Sequence, residues 1–192
     1  MNQERLQKEI AAYVEAHREE MVTFLRDVVA VPSIWGDVPQ LARMAEVLRA
    51  KLAAAGVRAE LVDSGTPGAP NVLGRVGDSS SGRRLLFCGH FDVYPPSNSW
   101  SFDPFSTPVR DGRVYGPGAT DMKGGTTAMV VAATVLSRLG LPLGGEMTLL
   151  AVPNHFEGGE GTRRFLATGE KAEGGRSEEH TSELQSRFGI SY

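Results

Sequence analysis

The sequence has very little cysteine: Cys88 is the only one among its 192 residues. A single cysteine cannot form an internal disulfide, so the fold cannot rest on a disulfide framework. Cys88 ends the apolar run Leu85-Leu-Phe-Cys88, and a thiol in such a run is typical of an inert buried side chain. The sequence therefore favours a structural thiol over a catalytic nucleophile.

Long apolar runs and a strong charge of one sign are also missing. The longest apolar stretches, such as Ala128 to Leu136, are far shorter than the roughly 20 residues that cross a bilayer. The formal net charge of −3 provides no positive field for a phosphate backbone. We therefore expect no membrane span and no nucleic-acid partner. The first 18 residues lack the pattern of a secretory signal, which favours a cytoplasmic location.

The composition, 41% hydrophobic and 22% charged, is typical of a globular protein. Apolar spacing predicts helices first, then short strands separated by turns, then a further helix and a fully apolar strand. This order predicts an α/β domain with helices on both faces of the sheet. The predicted helices cover residues 4–29 (one long or broken helix), 38–55 and 122–139, and the predicted strands cover 57–62, 71–76, 84–88 and 146–152.

The character of the chain changes at Glu170. From there to Tyr192 it is polar, with little periodicity and few large apolar residues before Phe188, which is typical of disorder. Residues 176–186 also resemble the translation of a common sequencing-library adapter. We therefore expect residues 1–169 to form the domain and residues 170–192 to be a disordered or artefactual tail.

A His-x-Asp pair follows the third predicted strand, in Gly89-His-Phe-Asp-Val93. Open α/β sheets place their sites at strand ends. Alternation along an extended chain puts His90 and Asp92 on one side, so the carboxylate can orient the imidazole while its other nitrogen faces a metal. The alternative is a histidine that only satisfies polar groups at the strand end.

A glycine-rich turn from Asp111 to Gly125 delivers Asp121 at the start of the next predicted helix. A carboxylate held in such a turn can bridge two cations, although an aspartate there could also be a helix N-cap. A nucleotide site is disfavoured. Gly116-x-Gly118-x-x-Asp121 lacks the third glycine of a dinucleotide fingerprint, and Lys123 lacks the neighbours of a phosphate loop.

Four motifs together resemble one family: the dizinc hydrolases that include acetylornithine deacetylase, succinyl-diaminopimelate desuccinylase, aminoacylase and carboxypeptidase G. The resemblance covers about residues 4–168 and also includes Phe24-Leu-Arg-Asp-Val-Val-Ala-Val-Pro-Ser33. It implies a three-layer α/β/α zinc-peptidase-like catalytic domain, truncated and without the family's lid or dimerisation domain. The four motifs are Gly89 to Val93, Trp100 to Phe105, Asp111 to Gly116 and Asp121 to Gly125.

The resemblance also assigns roles. His90 would bind one metal, and Asp92 would orient the His90 imidazole. Asp121 would bridge two divalent ions, zinc or alternatively cobalt. It further implies a cis Asp121–Met122 peptide bond. Two more ligands, an acid and a histidine, would lie downstream of this segment.

The sequence departs from the family at its third motif, an acid pair after a strand. Asn154, His155 and Phe156 stand where Asp or Asn, Glu and Glu are expected, and Glu157 lies one residue late. His155 could act as a base or ligand, whereas Phe156 can do neither. On an extended segment Glu157 would point to the opposite face, unless a local bulge brings it inward as a metal ligand.

The implied activity is metal-dependent hydrolysis of amide bonds in N-acyl amino acids or small peptides, in a full-length parent that could be a homodimer. The competing hypothesis is a relative with a degenerate metal site and no hydrolytic activity. A corrupted sequence near the end of a fragment would also explain the departure at the third motif.

Overall fold

The computed structural model describes residues 2–170 and 172–176. Within them lie five α-helices, seven strands and two short 3-10 turns. The helices are α1 (Gln3–Ala16), α2 (Arg18–Ala30), α3 (Val38–Ala54), α4 (Lys123–Arg138) and α5 (Glu160–Ala167). The strands are β1 (Arg58–Val62), β2 (Asn71–Gly77), β3 (Arg84–His90), β4 (Val109–Arg110), β5 (Arg113–Val114), β6 (Glu146–Val152) and β7 (Gly174–Arg176).

Five of these strands form one mixed sheet in the order β1-β2-β6-β3-β7. β1 and β2 pair antiparallel, as do β2 and β6, whereas β3 runs parallel to both β6 and β7. Every residue of β6 is buried, as expected for an apolar strand covered on both faces. β4 and β5 form a separate two-stranded hairpin.

Apolar clusters lie on both faces of the sheet. Helices α2, α3 and α4 pack on one face, around Leu48 and Met44 of α3 and Val130 of α4. On the other face Phe165 of α5 packs with sheet residues that include Leu150. Helix, sheet and helix therefore form three layers, which confirms the predicted α/β architecture.

The predicted elements match closely where apolar periodicity is strong. The first helical stretch is broken at His17, which ends α1 and precedes α2. Helix α5 and the β4–β5 hairpin were not predicted: α5 buries only Gly161 and Phe165, and each hairpin strand has two residues. Among the described residues, no helix is long and apolar enough to cross a membrane.

Part of the expected tail has regular structure. Residues 174–176 form β7, which pairs with Leu85 to Phe87 of β3, and the Glu170 carboxylate accepts hydrogen bonds from Arg75 and Arg84 at 2.7 and 2.8 Å. Disorder was therefore the wrong prediction for these positions. Residues 171 and 177–192, which hold nearly all of the adapter-like segment, lie outside the described residues.

Candidate metal centre

His90 is the last residue of β3 and is almost completely buried, at 1% exposure. Its Nδ1 lies 2.9 Å from the backbone oxygen of Asp92 and 3.2 Å from the Asp92 carboxylate. Because both neighbours of Nδ1 are oxygens that accept hydrogen bonds, Nδ1 carries the proton in the neutral ring, leaving the lone pair on Nε2. Asp92 thus contacts the imidazole, but the hydrogen bond from Nδ1 goes to its backbone oxygen, whereas the buried Oδ1 of its carboxylate lies close by without a hydrogen bond.

Asp121 is opposite this lone pair. Its carboxylate lies 3.5 Å from His90 Nε2, and its side chain is 67% exposed. The two residues therefore approach each other at the carboxyl end of β3, as the sequence predicted. Asp121 is not the helix cap: α4 is capped by Met122, with no side-chain hydrogen bond. The Asp121–Met122 peptide bond is cis, as the resemblance implied.

The turn before Asp121 packs tightly against the segment that follows β3. Gly118 has φ +78°, and a Cβ there would lie 2.7 Å from Val93 and 3.1 Å from the Lys123 stem. A larger residue would be strained in both backbone and space. Thr126 of α4 also donates a hydrogen bond to the His90 carbonyl at 2.8 Å, so turn, helix and strand end hold one another in place.

The third motif forms a turn beside this pair. Residues 155–157 form a 3-10 turn, so the expectation of an extended segment was wrong. The Phe156 backbone N–H donates to Asp92 Oδ2 at 3.2 Å. The His155 ring stacks on His90 with centroids 4.5 Å apart, and the Phe156 ring meets His90 edge-on at 5.3 Å. The turn therefore covers the imidazole with aromatic rings.

Asn154 fixes the position of this turn. Its buried amide accepts a hydrogen bond from Gly161 N–H at 2.8 Å and donates to the Ser64 carbonyl and Thr66 Oγ1, each at 3.0 Å. The backbone carbonyl of Asn154 also accepts hydrogen bonds from the N–H groups of Glu157 and Gly159. The beginning of α5 and residues 64–66 are thereby tied to the end of β6.

Glu157 is not brought to the His90–Asp121 pair. Its exposed carboxylate accepts hydrogen bonds from Trp35 Nε1 at 3.0 Å and Thr66 Oγ1 at 3.5 Å. In the part of the chain that the structure describes, no three His, Cys, Asp or Glu side chains are grouped to hold a metal ion. The described residues therefore supply two candidate metal ligands at this place, His90 and Asp121.

Two residues near the site, Lys123 and Trp35, were not predicted from the sequence as functional candidates. Lys123 is fully buried, its Nζ donates to the Val31 carbonyl at 2.6 Å, and burial lowers the pKa of its ammonium to about 7. It had been weighed only as part of a phosphate loop. Trp35, the indole that holds Glu157, follows no motif, and no local signal identifies it.

Comparison with known proteins decides the family. Residues 86–188, more than half of the chain, match the profile of peptidase family M20/M25/M40. The chain belongs to this family. The matched region begins in β3 and includes His90, Asp92, Asp121 and the third motif.

Curated members of the family show the same relationship. The chain is 35% identical over 149 residues to a succinyl-diaminopimelate desuccinylase of Rhodospirillum centenum, covering 76% of this chain and 38% of that protein. It is 34% identical over 142 residues to a Cys-Gly metallodipeptidase of Schizosaccharomyces pombe, covering 67% and 30%. The chain thus spans about a third of the length of these relatives.

Solved structures agree on the fold. The match to human carnosine dipeptidase 1 has a TM-score of 0.75 at 28% identity, covering 85% of this chain and 38% of that one. The metallo-carboxypeptidase Sso-CP2 of Sulfolobus solfataricus gives 0.72 at 26% identity, covering 83% and 37%. The three-layer arrangement is therefore that of M20 metallopeptidases.

Proposed function

We propose that this chain is part of a metal-dependent hydrolase that cleaves amide bonds in N-acyl amino acids or small peptides. The observation that carries the proposal is the buried His90 imidazole, oriented by Asp92 so that its Nε2 faces the exposed Asp121 carboxylate at 3.5 Å. The names of the relatives, a desuccinylase and a metallodipeptidase, support the same class of reaction.

His90 and Asp121 are the residues that would hold divalent metal, zinc or cobalt. When bound, such an ion supplies Lewis acidity toward the amide carbonyl and toward the attacking water. Asp92 keeps the His90 proton on Nδ1, so the lone pair of Nε2 is available to bind a metal. His155, stacked on His90, is the neighbouring side chain of the third motif that could move a proton.

A non-catalytic relative is the second candidate, and one observation favours it. Phe156 occupies the turn beside His90 where the family has an acid, and Glu157 is turned toward Trp35 and Thr66. A catalytic zinc commonly has about three protein ligands and one open position, whereas the described residues supply two donors. We therefore expect the 192-residue chain itself to be inactive.

The test compares two proteins and uses one matched pair of substitutions. Hydrolysis of N-acyl amino acids and dipeptides is measured for this chain and for a full-length parent carrying His155→Glu and Phe156→Glu, each after addition of zinc or cobalt. We expect turnover by the parent alone. Asp121→Asn should abolish it, whereas Asp111→Asn, the same change at an exposed position of the β4–β5 hairpin, should not.

Each other outcome decides between the hypotheses. Metal-dependent turnover by the 192-residue chain would overturn the two-donor argument. An inactive parent with both glutamates present would favour the non-catalytic relative. The homodimer and the cytoplasmic location remain predictions.

A further inference from the structure

Two exposed aromatic rings form a right-angled corner next to the metal centre. Trp35 and Tyr94 are 43% and 59% exposed, with ring centroids 6.1 Å apart and planes at 84°. Their backbones are fixed to each other: Ile34 and Val93 form a parallel bridge, and Trp35 N–H donates to the Val93 carbonyl at 2.8 Å. The corner is therefore preorganised without burial of the rings.

A carboxylate stands at the edge of this corner. Glu157 accepts hydrogen bonds from Trp35 Nε1 and from Thr66 Oγ1, and Thr66 is itself held by the buried Asn154 amide. Both donors to Glu157 are neutral. Across residues 2–170 and 172–176, no cationic side chain pairs with Glu157. Its negative charge is thus held in place but not compensated.

The surrounding charges are also acidic or already paired. The Asp121 carboxylate is exposed and lies next to His90. Arg163, whose guanidinium lies beside Gly158, is paired with Glu160 at 3.0 Å. Lys123 is fully buried and directed at the Val31 carbonyl. The potential in front of Glu157 therefore favours a positive ligand group.

The corner is connected to the metal centre through one ring. Tyr94 contacts Phe156 with centroids 4.1 Å apart, and Phe156 meets His90 at 5.3 Å. The ring centroids of Tyr94 and His90 are therefore at most about 9.4 Å apart, the length of roughly two or three extended residues at ~3.5 Å each. A single small substrate can reach both places.

We propose that Trp35, Tyr94 and Glu157 form a subsite for a cationic group of the substrate, an ammonium or a guanidinium. Aromatic faces attract cations electrostatically, and the adjacent carboxylate adds a charge-assisted hydrogen bond. The subsite rests on the proposed function for its role in an amide hydrolase. It gives Glu157 a task in substrate selection in place of metal binding.

Binding to the metal-free chain tests the subsite separately from hydrolysis. The sequence has two tryptophans, so Trp100→Phe leaves Trp35 as the only indole fluorophore. In the presence of a chelator, its emission is titrated with Nα-acetyl-lysine amide and with Nα-acetyl-norleucine amide, which lacks only the charge-bearing amine. We expect the lysine compound to bind at least about tenfold more tightly, a difference of about 1.4 kcal/mol, and added salt to weaken it.

Two isosteric variants in this background separate the subsite from general effects. Glu157→Gln should remove the preference for the lysine compound and leave the norleucine compound unchanged. Glu46→Gln, the control, neutralises an exposed carboxylate of α3 that is paired with Arg49 on the opposite face of the sheet from α5 and should preserve the preference. An unchanged urea midpoint in both variants shows that folding is intact.

Equal affinity for the two compounds, or a preference that survives Glu157→Gln, would overturn the subsite. Neither result bears on amide hydrolysis, which is measured with metal in the long parent. Conversely, charge-selective binding together with an inactive parent would support the subsite and refute the proposed reaction.

Discussion

Replacing Asn154 by alanine tests how the turn of the third motif is held beside His90. The side chain is 1% exposed and makes three hydrogen bonds, to Gly161 N–H, the Ser64 carbonyl and Thr66 Oγ1. Alanine removes all three and leaves a buried donor and a buried acceptor without those partners. A cavity the size of an amide group remains as well.

The expected loss of stability follows from these contacts. A hydrogen bond in a protein contributes about 1 kcal/mol net, and a buried polar group left without a partner costs about 1–3 kcal/mol. Thr66 Oγ1 still contacts Glu157, so its share of the loss is small. We therefore expect Asn154→Ala to lower the free energy of unfolding by about 3 kcal/mol, mostly through Gly161 and Ser64.

Urea unfolding measures this loss as a shift in midpoint at constant slope. The control is Asn98→Ala, the same substitution at an exposed loop position, where we expect a change within about 0.5 kcal/mol. A loss below about 1 kcal/mol for Asn154→Ala would mean that the amide does not hold the turn. A change in slope would instead indicate an altered denatured state or loss of two-state behaviour.

The structure also predicts the direction in which three further substitutions change stability. Glu170→Ala breaks hydrogen bonds to two partly buried arginines and should cost about 1 kcal/mol in urea unfolding; no loss would mean that this residue is not anchored. Gly124→Ala would usually stabilise a helix by about 1 kcal/mol, but here the methyl group would overlap the Ala119 carbonyl oxygen, so we expect a lower melting temperature, and a higher one would refute the close contact. The pKa of Lys123 is lowered from 10.5 to about 7 by burial, so the unfolded chain binds more protons across that window and the free energy of unfolding should rise with pH there. Lys123→Met should remove that rise, and equal pH slopes in the two proteins would contradict a buried amine.

The apolar pattern predicted the helices and strands that have a clear period or a continuous run of apolar side chains. β6, buried at all seven positions, and α4, with its apolar stripe, were both apparent from the sequence. Helix α5 was not, because a helix of eight residues that packs mainly through Phe165 has too few apolar positions to show a period. The strand β7 was missed for a related reason: two of its three residues are glycine, and its order comes from pairing with β3.

The site divides in the same way. His90 and Asp92 lie two residues apart at a strand end, so local geometry was enough to predict their contact. The Trp35–Glu157 hydrogen bond joins residues 122 positions apart, and no pattern within either segment indicates the other. The turn of the third motif was mispredicted because Asn154 acts through partners in distant loops.

The order of the sheet bears on how the chain must be made. β3, which ends in His90, has both of its neighbours, β6 and β7, later in the sequence. Its first residue, Arg84, pairs with Glu146, 62 positions further on. At a synthesis rate of about 5–20 residues per second, a ribosome needs roughly 3–12 s to supply that partner. During this interval the β1–β2 hairpin can already form, while the unpaired backbone N–H and C=O groups along both edges of β3 remain available to other chains. The strand that ends in His90, a candidate metal ligand, is thus the strand of this sheet whose partners are both made after it.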